Sequence, residues 1–116
     1  MSDSATLPII EKTYQVYKQL AVINAKMEKA HRYGLGVSTE QSVLNLLELL
    51  STAQHAPKAH KAVYLLKSQA QLDVLRLKLR LYMELKLANE TKLFQLHSEL
   101  QEVGRMLGGW LKANTY

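Results

Sequence analysis

The sequence predicts an all-α protein, folded as an up-down-up-down antiparallel four-helix bundle. Leucine supplies 22 of the 116 residues, whereas glycine (5) and proline (2) are scarce, and this composition favours helix. Apolar residues recur at spacings of three and four in four segments, and helix breakers separate those segments by short connections. We therefore expect one domain over residues 1–116, with helices at about 8–33, 39–55, 58–88 and 90–113.

The boundaries of the first two helices follow from residues that start or stop helices. Pro8 is tolerated in a first turn and begins the first helix. Gly34-Leu-Gly36 is expected to end it, because glycine commonly follows the last helical turn. Ser38 and Gln41 have the spacing of a capping box for the second helix, which Pro57 stops.

The third segment alternates leucine with basic residues over 75–81, as a strand does. We predict helix, because its residues are good helix formers and no β-branched residue lies between Leu75 and Leu87. At about 100° per residue the helix carries two apolar stripes on nearly opposite sides. The first comprises Leu65, Leu72, Leu75, Leu79 and Met83, and the second Val63, Ala70, Val74, Leu77 and Leu81. One stripe packs into the core, and a subunit interface is the simplest cover for the other.

The fourth helix has a recognisable start and an unusual glycine pair. Asn89 is expected to cap its first turn, and leucines at three- and four-residue spacing line one face. Gly104 and Gly108 lie one turn apart, and a glycine inside a helix costs about 1 kcal/mol relative to alanine. Retaining both glycines suggests close helix approach, although Gly108-Gly109 is equally compatible with fraying or a bend. Trp110 either packs on a neighbouring subunit or closes the bundle end.

The positive charge of the chain is concentrated in one segment. Residues 58–87 contain seven basic and two acidic residues, which gives +5, and the rest of the chain has eight of each sign. The basic residues are Lys58, Lys61, Lys67, Arg76, Lys78, Arg80 and Lys86. Such a concentration favours a polyanionic or acidic partner, although charged helix faces are often simply solvated.

The positions of these basic residues around the third helix suggest how an anion can be bound. Arg76 and Arg80 share one edge between the stripes, and Lys67 and Lys78 lie on the other. The planar guanidinium groups of the arginines suit phosphate. Tyr64 and Tyr82 can stack on bases, but packing in the core or an interface is the preferred interpretation of both.

Several other classes of protein find little support in the sequence. The absence of cysteine excludes disulfide scaffolds and thiolate metal sites. Neither a signal peptide nor a stretch of about 20 apolar residues is present, so we expect a cytoplasmic protein without a membrane partner. Glu28 and His31 have the Glu-x-x-His spacing of di-iron bundles, but the second such motif is missing. No catalytic spacing is evident, and we expect no enzyme activity, cofactor or metal.

Two segments resemble a known family. Residues 102–111 (Glu-Val-Gly-Arg-Met-Leu-Gly-Gly-Trp-Leu) and residues 74–81 (Val-Leu-Arg-Leu-Lys-Leu-Arg-Leu) resemble the accessory variability determinant (Avd) proteins of diversity-generating retroelements. The order and length of the helices also match, so the resemblance extends over most of the chain. Proteins encoded within ribosomal-RNA intervening sequences share the bundle and are the main competing identification.

The resemblance carries implications beyond the residues themselves. It implies a homopentameric barrel, encoded by a bacterium or phage, that binds RNA or DNA and the reverse transcriptase of the element. Together, the barrel and the reverse transcriptase would support mutagenic copying of template RNA into cDNA. The paired arginines of the family's third helix correspond to Arg76 and Arg80. The candidate binding residues are Arg76, Arg80, Lys67, Lys78, Lys58 and Lys61, and the candidate interface residues are Val74, Leu77, Leu81 and Trp110.

Overall fold

Four long helices account for most of the computed structural model, which describes residues 7–115. They are α1 (Pro8–Ala25), α2 (Val37–His55), α3 (Lys58–Glu84) and α4 (Glu90–Ala113). The described chain contains no strand, which is compatible with the predicted four-helix bundle. None of the described helices is long and apolar enough to cross a membrane.

Each long helix packs against two neighbours. Helices α1 and α3 both contact α2 and α4, which places them diagonally across the bundle. The buried side chains come from the predicted stripes, and burying a leucine contributes about 1.5–3 kcal/mol. The α3 stripe with Leu65, Leu72, Leu75 and Leu79 is the one that enters the core, and the alternating segment 75–81 is helical as predicted. Trp110 is partly buried against the same core.

Several predicted helix ends are confirmed. Pro8 occupies the first turn of α1, after an extended Leu7. Pro57 precedes α3 with extended backbone, so α2 ends at His55. The Asn89 side chain accepts a hydrogen bond from the Lys92 backbone N–H at 3.0 Å, which caps α4.

The predicted end of the first helix at residue 33 is wrong. Helix α1 stops at Ala25, and a short helical turn, Lys29–His31, leads into a π-helical segment, Arg32–Gly36, that continues directly into α2. Neither Gly34 nor Gly36 has a positive φ, so neither forms the expected left-handed cap. Close packing explains instead why glycine occupies position 36. A β-carbon there would lie 3.0 Å from Met27 Cε and 3.3 Å from the His31 carbonyl oxygen.

The predicted capping box of the second helix is also wrong. The helical path already includes Val37, so Ser38 lies inside the first turn of α2 rather than before it. Gln41 donates a hydrogen bond to Asn45 Oδ1 at 2.9 Å and does not reach back to the helix start. The continuous π-to-α path leaves no free helix N-terminus for a capping box to satisfy.

Helix α3 ends four residues earlier than residue 88, at Glu84. The Leu87 N–H bonds to the Tyr82 carbonyl at 3.0 Å, and the Lys86 N–H bonds to the Met83 carbonyl at 3.2 Å. These two bonds form a Schellman motif, with Lys86 at φ 55° in the left-handed position. Glycine usually occupies that position, so the sequence carried no obvious stop signal.

A buried hydrogen-bond network joins α1, α2, α3 and the π-helical segment. The Tyr82 hydroxyl donates to Asn24 Oδ1 at 2.6 Å. Asn24 Nδ2 donates to Glu40 Oε2 at 2.7 Å and to the Gly36 carbonyl at 3.0 Å. Both Asn24 and Tyr82 are buried, so these bonds are shielded from water. The preferred interpretation of Tyr82, packing rather than base stacking, is confirmed.

Burial affects the ionisation of Tyr82. The surrounding core raises the pKa of its phenol above the ordinary value, since the phenolate loses its hydration there. Hydrogen bonds with Thr39 and Asn24 lower the pKa, and the Glu40 charge raises it. The upward shift means that the folded protein retains the phenol proton at a pH where the unfolded chain releases it.

We expect Tyr82→Phe to lower the free energy of unfolding by about 1–3 kcal/mol, because it leaves the buried Asn24 Oδ1 without this donor. Urea denaturation followed by circular dichroism measures the change. Tyr14→Phe is the matched control, because Tyr14 is half exposed on α1. Equal stabilities of the two variants would contradict the importance of the buried bond.

We further expect the free energy of unfolding to fall as the pH rises above about 10, the ordinary tyrosine pKa. The raised folded-state pKa stabilises the protein fully below that pH, and this contribution is lost as the pH approaches the folded value. The decline should be smaller in Tyr82→Phe than in Tyr14→Phe. Denaturation curves between pH 8 and the alkaline limit of folding test this, and parallel declines would argue against it.

Candidate functional site

The surface of α3 that faces away from the core is apolar. Val63, Val74, Leu77 and Leu81 are between 43% and 58% exposed, as are Leu66 and Leu85. We call these six side chains the outer face of α3, with Leu85 following directly after the last residue of the helix. The second predicted stripe is therefore uncovered in the isolated chain, and basic residues border it on both sides.

On the side towards α2, two lysines hold the helices together. Lys78 Nζ donates to Ser42 Oγ at 2.6 Å and to the Ser38 carbonyl at 3.2 Å. Lys61 Nζ donates at 2.8 Å to the carbonyls of Ala53 and Gln54, in the last turn of α2. A cation there also interacts favourably with the helix dipole. These two predicted site residues thus have structural partners on α2.

The other two predicted lysines are less constrained. Lys67 Nζ lies 5.8 Å from the centroid of the Tyr64 ring, one helical turn earlier. Tyr64 is partly buried against the core, so its ring is only partly available to stack on a base. Lys58 is exposed at the beginning of α3. Both ammonium groups remain accessible to an anion.

On the side towards α4, Arg80 is the more exposed arginine. Its Nε lies 2.8 Å from Glu84 Oε2, and its side chain is 71% exposed. The Glu84 hydrogen bond and charge raise the pKa of Arg80 further above its ordinary value. An exposed ion pair of this kind is weak, so a phosphate can compete with Glu84 for the guanidinium.

Arg76 is held more tightly, against α4. Its side chain is 35% exposed, and its Nη1 lies 3.5 Å from Asp73 Oδ1. The guanidinium rests against the α4 backbone at Gly104, where a β-carbon would overlap Nη2. The close approach predicted for the glycine pair is therefore found at Gly104, where an arginine side chain makes it. Gly108 has no such neighbour within 4 Å.

The two arginines line one groove between α3 and α4. The residues around this groove are Asp73, Arg76, Leu77, Arg80, Met83 and His97. It combines two guanidinium groups, an imidazole and one carboxylate with two apolar side chains, so cationic groups outnumber the single acidic one. This chemistry suits a ligand that has both anionic groups and flat apolar surfaces.

Sequence reasoning missed His97 as a neighbour of the arginines. His97 and Gly104 are seven residues, or about two turns, apart, so both face α3. Arg76 and Arg80 are four residues, or about one turn, apart on α3. The matching helical spacings were the signal in the sequence that could have placed His97 beside the arginines.

The Glu-x-x-His motif lies in the connection after α1. Glu28 precedes the short turn Lys29–His31 with extended backbone, and it is exposed. Among residues 7–115, no three histidine, cysteine, aspartate or glutamate side chains are grouped so as to hold a metal ion.

A comparison with curated proteins gave no match. A family model described as bAvd-like matches residues 7–114, which include all four helices and the groove. The match covers nearly the whole chain and agrees with the resemblance of residues 74–81 and 102–111. The chain therefore belongs to the bAvd-like family, consistent with an Avd protein of diversity-generating retroelements.

Proposed function

We propose that this protein is a non-enzymatic accessory protein of a diversity-generating retroelement. In this role it binds RNA or DNA and the reverse transcriptase of the element, and it supports mutagenic cDNA synthesis in the cytoplasm of a bacterium. Membership of the bAvd-like family supports the accessory role. The observation that carries the binding role is the pair Arg76 and Arg80 on the rim of one groove.

The groove supplies the chemistry that binding requires. The Arg80 guanidinium is exposed, and it leaves its weak ion pair with Glu84 to bind phosphate. Arg76 is already ordered against α4. Lys67 adds positive charge on the other side of α3, and Lys58 is exposed at the beginning of the helix. Phosphate contacts of this kind depend strongly on salt and discriminate little between sequences.

The outer face of α3 is the proposed subunit interface. An uncovered apolar strip along a 27-residue helix is unusual for a monomer, and a second copy of the chain provides the simplest cover. Val74, Leu77 and Leu81 lie in this strip, and Trp110 contributes from the end of α4 only if its partly exposed ring reaches a neighbour. We propose the homopentamer that the family resemblance implies.

A second candidate function is a structural interaction module without nucleic-acid binding, on the same bundle fold as the proteins of ribosomal-RNA intervening sequences. One observation favours it: Lys61, Lys78 and Arg80 all have partners within the chain. Under this alternative the basic residues hold the bundle together, and the outer face of α3 docks another protein.

We expect Arg76→Ala combined with Arg80→Ala to weaken binding of single-stranded RNA by about tenfold or more at low salt. Removing two phosphate contacts should also reduce the slope of log affinity against log salt by about two. Filter binding at several salt concentrations gives both quantities, with circular dichroism as the check on helicity.

Lys26→Ala combined with Lys112→Ala is the matched control, because it removes the same charge from exposed positions outside α3. It should retain nearly full affinity. If the arginine variant binds RNA, DNA and the reverse transcriptase as the wild type does, the site assignment is wrong. If the wild type binds no nucleic acid even at low salt, the interaction module is the better description.

We expect Leu77→Glu combined with Leu81→Glu to dissociate the oligomer, since charges on an apolar interface are costly to bury. Light scattering at micromolar concentration should give a pentamer for the wild type and a smaller species for the variant. Val22→Glu, a half-exposed position on the diagonal helix α1, should leave the mass unchanged. A monomeric wild type would contradict the proposed assembly.

A further inference from the structure

We propose that Gly104 is a positioning residue, whose missing side chain lets the Arg76 guanidinium lie against α4 at the rim of the groove. This inference rests on the proposed function, in which Arg76 binds phosphate. It assigns a role in binding to a residue that has no side chain to contact the ligand.

The neighbours of Gly104 show why no larger residue leaves Arg76 in place. A β-carbon at position 104 would overlap Arg76 Nη2, and it would lie 3.3 Å from Arg76 Cζ and 3.4 Å from Leu72 Cδ2. Leu72 is 2% exposed and fixed by the core. The end of the arginine side chain is therefore the group that has to move.

The position of Arg76 against Gly104 determines what the guanidinium can reach. Arg76 borders the groove between α3 and α4, and it also borders a second groove between α1 and α4. Its side chain thus extends over α4, and it is half as exposed as that of Arg80. An ordered guanidinium loses less conformational entropy when it binds a ligand.

A displaced Arg76 has an obvious alternative partner. Asp73 is one turn earlier on α3, its side chain is 72% exposed, and the present distance of 3.5 Å is long for an ion pair. Once moved away from α4, the guanidinium can approach Asp73 more closely. The Asp73 carboxylate would then compete with phosphate for the same charge.

Helix α4 contains its own control positions. A β-carbon at Gly108 or Gly109 would have no side chain and no atom of another helix within 4 Å, so alanine fits at either one. Alanine is also the better helix former. Gly104→Ala and Gly108→Ala are thus the same chemical change one turn apart, and only the first displaces Arg76.

The experiment compares Gly104→Ala, Gly108→Ala, Arg76→Ala and the double variant Gly104→Ala with Arg76→Ala. The probe is a mixed-sequence single-stranded RNA, measured by filter binding at several salt concentrations. We expect Gly104→Ala to lose affinity to within about twofold of Arg76→Ala and to reduce the salt slope by about one. Gly108→Ala should bind as the wild type does, and Gly104→Ala should add nothing in the Arg76→Ala background. Wild-type binding by Gly104→Ala, or a further loss in that background, overturns the inference.

Failure of the proposed function is distinguishable from failure of this inference. If the wild type binds neither RNA nor DNA, the proposed binding function fails, and urea denaturation of the same four variants still tests the contact. Gly104→Ala should then stabilise the protein less than Gly108→Ala does. In the Arg76→Ala background, Gly104→Ala should raise the free energy of unfolding by more than it does in the wild type. If Gly104→Ala and Arg76→Ala have strictly additive effects on the free energy of unfolding, the contact between Gly104 and Arg76 is ruled out.

Discussion

The buried amide of Asn24 is the point on which the arrangement of the helices depends. Its two polar atoms satisfy partners from three other segments, the Tyr82 hydroxyl on α3, the Glu40 carboxylate on α2 and the Gly36 carbonyl. An apolar core specifies that helices pack, but it tolerates changes in their rotation and register. Directional hydrogen bonds in a dry environment do not tolerate such changes, because a slipped helix would leave buried polar atoms unpaired. The network therefore fixes which face of α3 turns outward, and with it the positions of the basic residues.

The basic residues of α3 divide into two groups with different tasks. Lys61 and Lys78 bind α2, one at its last carbonyls and the other near its start. Arg76 and Arg80 are directed towards α4 and border the groove with His97. The net charge of +5 in this segment thus overstates the charge that is free to meet a partner. Part of it stabilises the bundle, and the arginine pair is the part that we propose for binding.

The sequence was most informative where one residue type has one dominant physical role. The apolar stripes, the start of α1 at Pro8 and the cap at Asn89 depend on local chemistry, and all could be predicted. The errors arose where a tertiary contact overrides a local preference. Gly36 is retained for close packing rather than for a left-handed cap, and Lys86 adopts the left-handed conformation that glycine usually adopts at a helix end. The contact of Arg76 with Gly104 joins two helices and has no local signature.

The π-helical segment Arg32–Gly36 has a consequence for how this family can vary in length. One residue fewer in that segment would restore an ordinary helical turn but rotate everything before it by about 100° relative to α2. The Gly36 carbonyl would then turn away from Asn24, and the close contact with Met27 would be lost. The connection between α1 and α2 should consequently conserve its residue count across relatives.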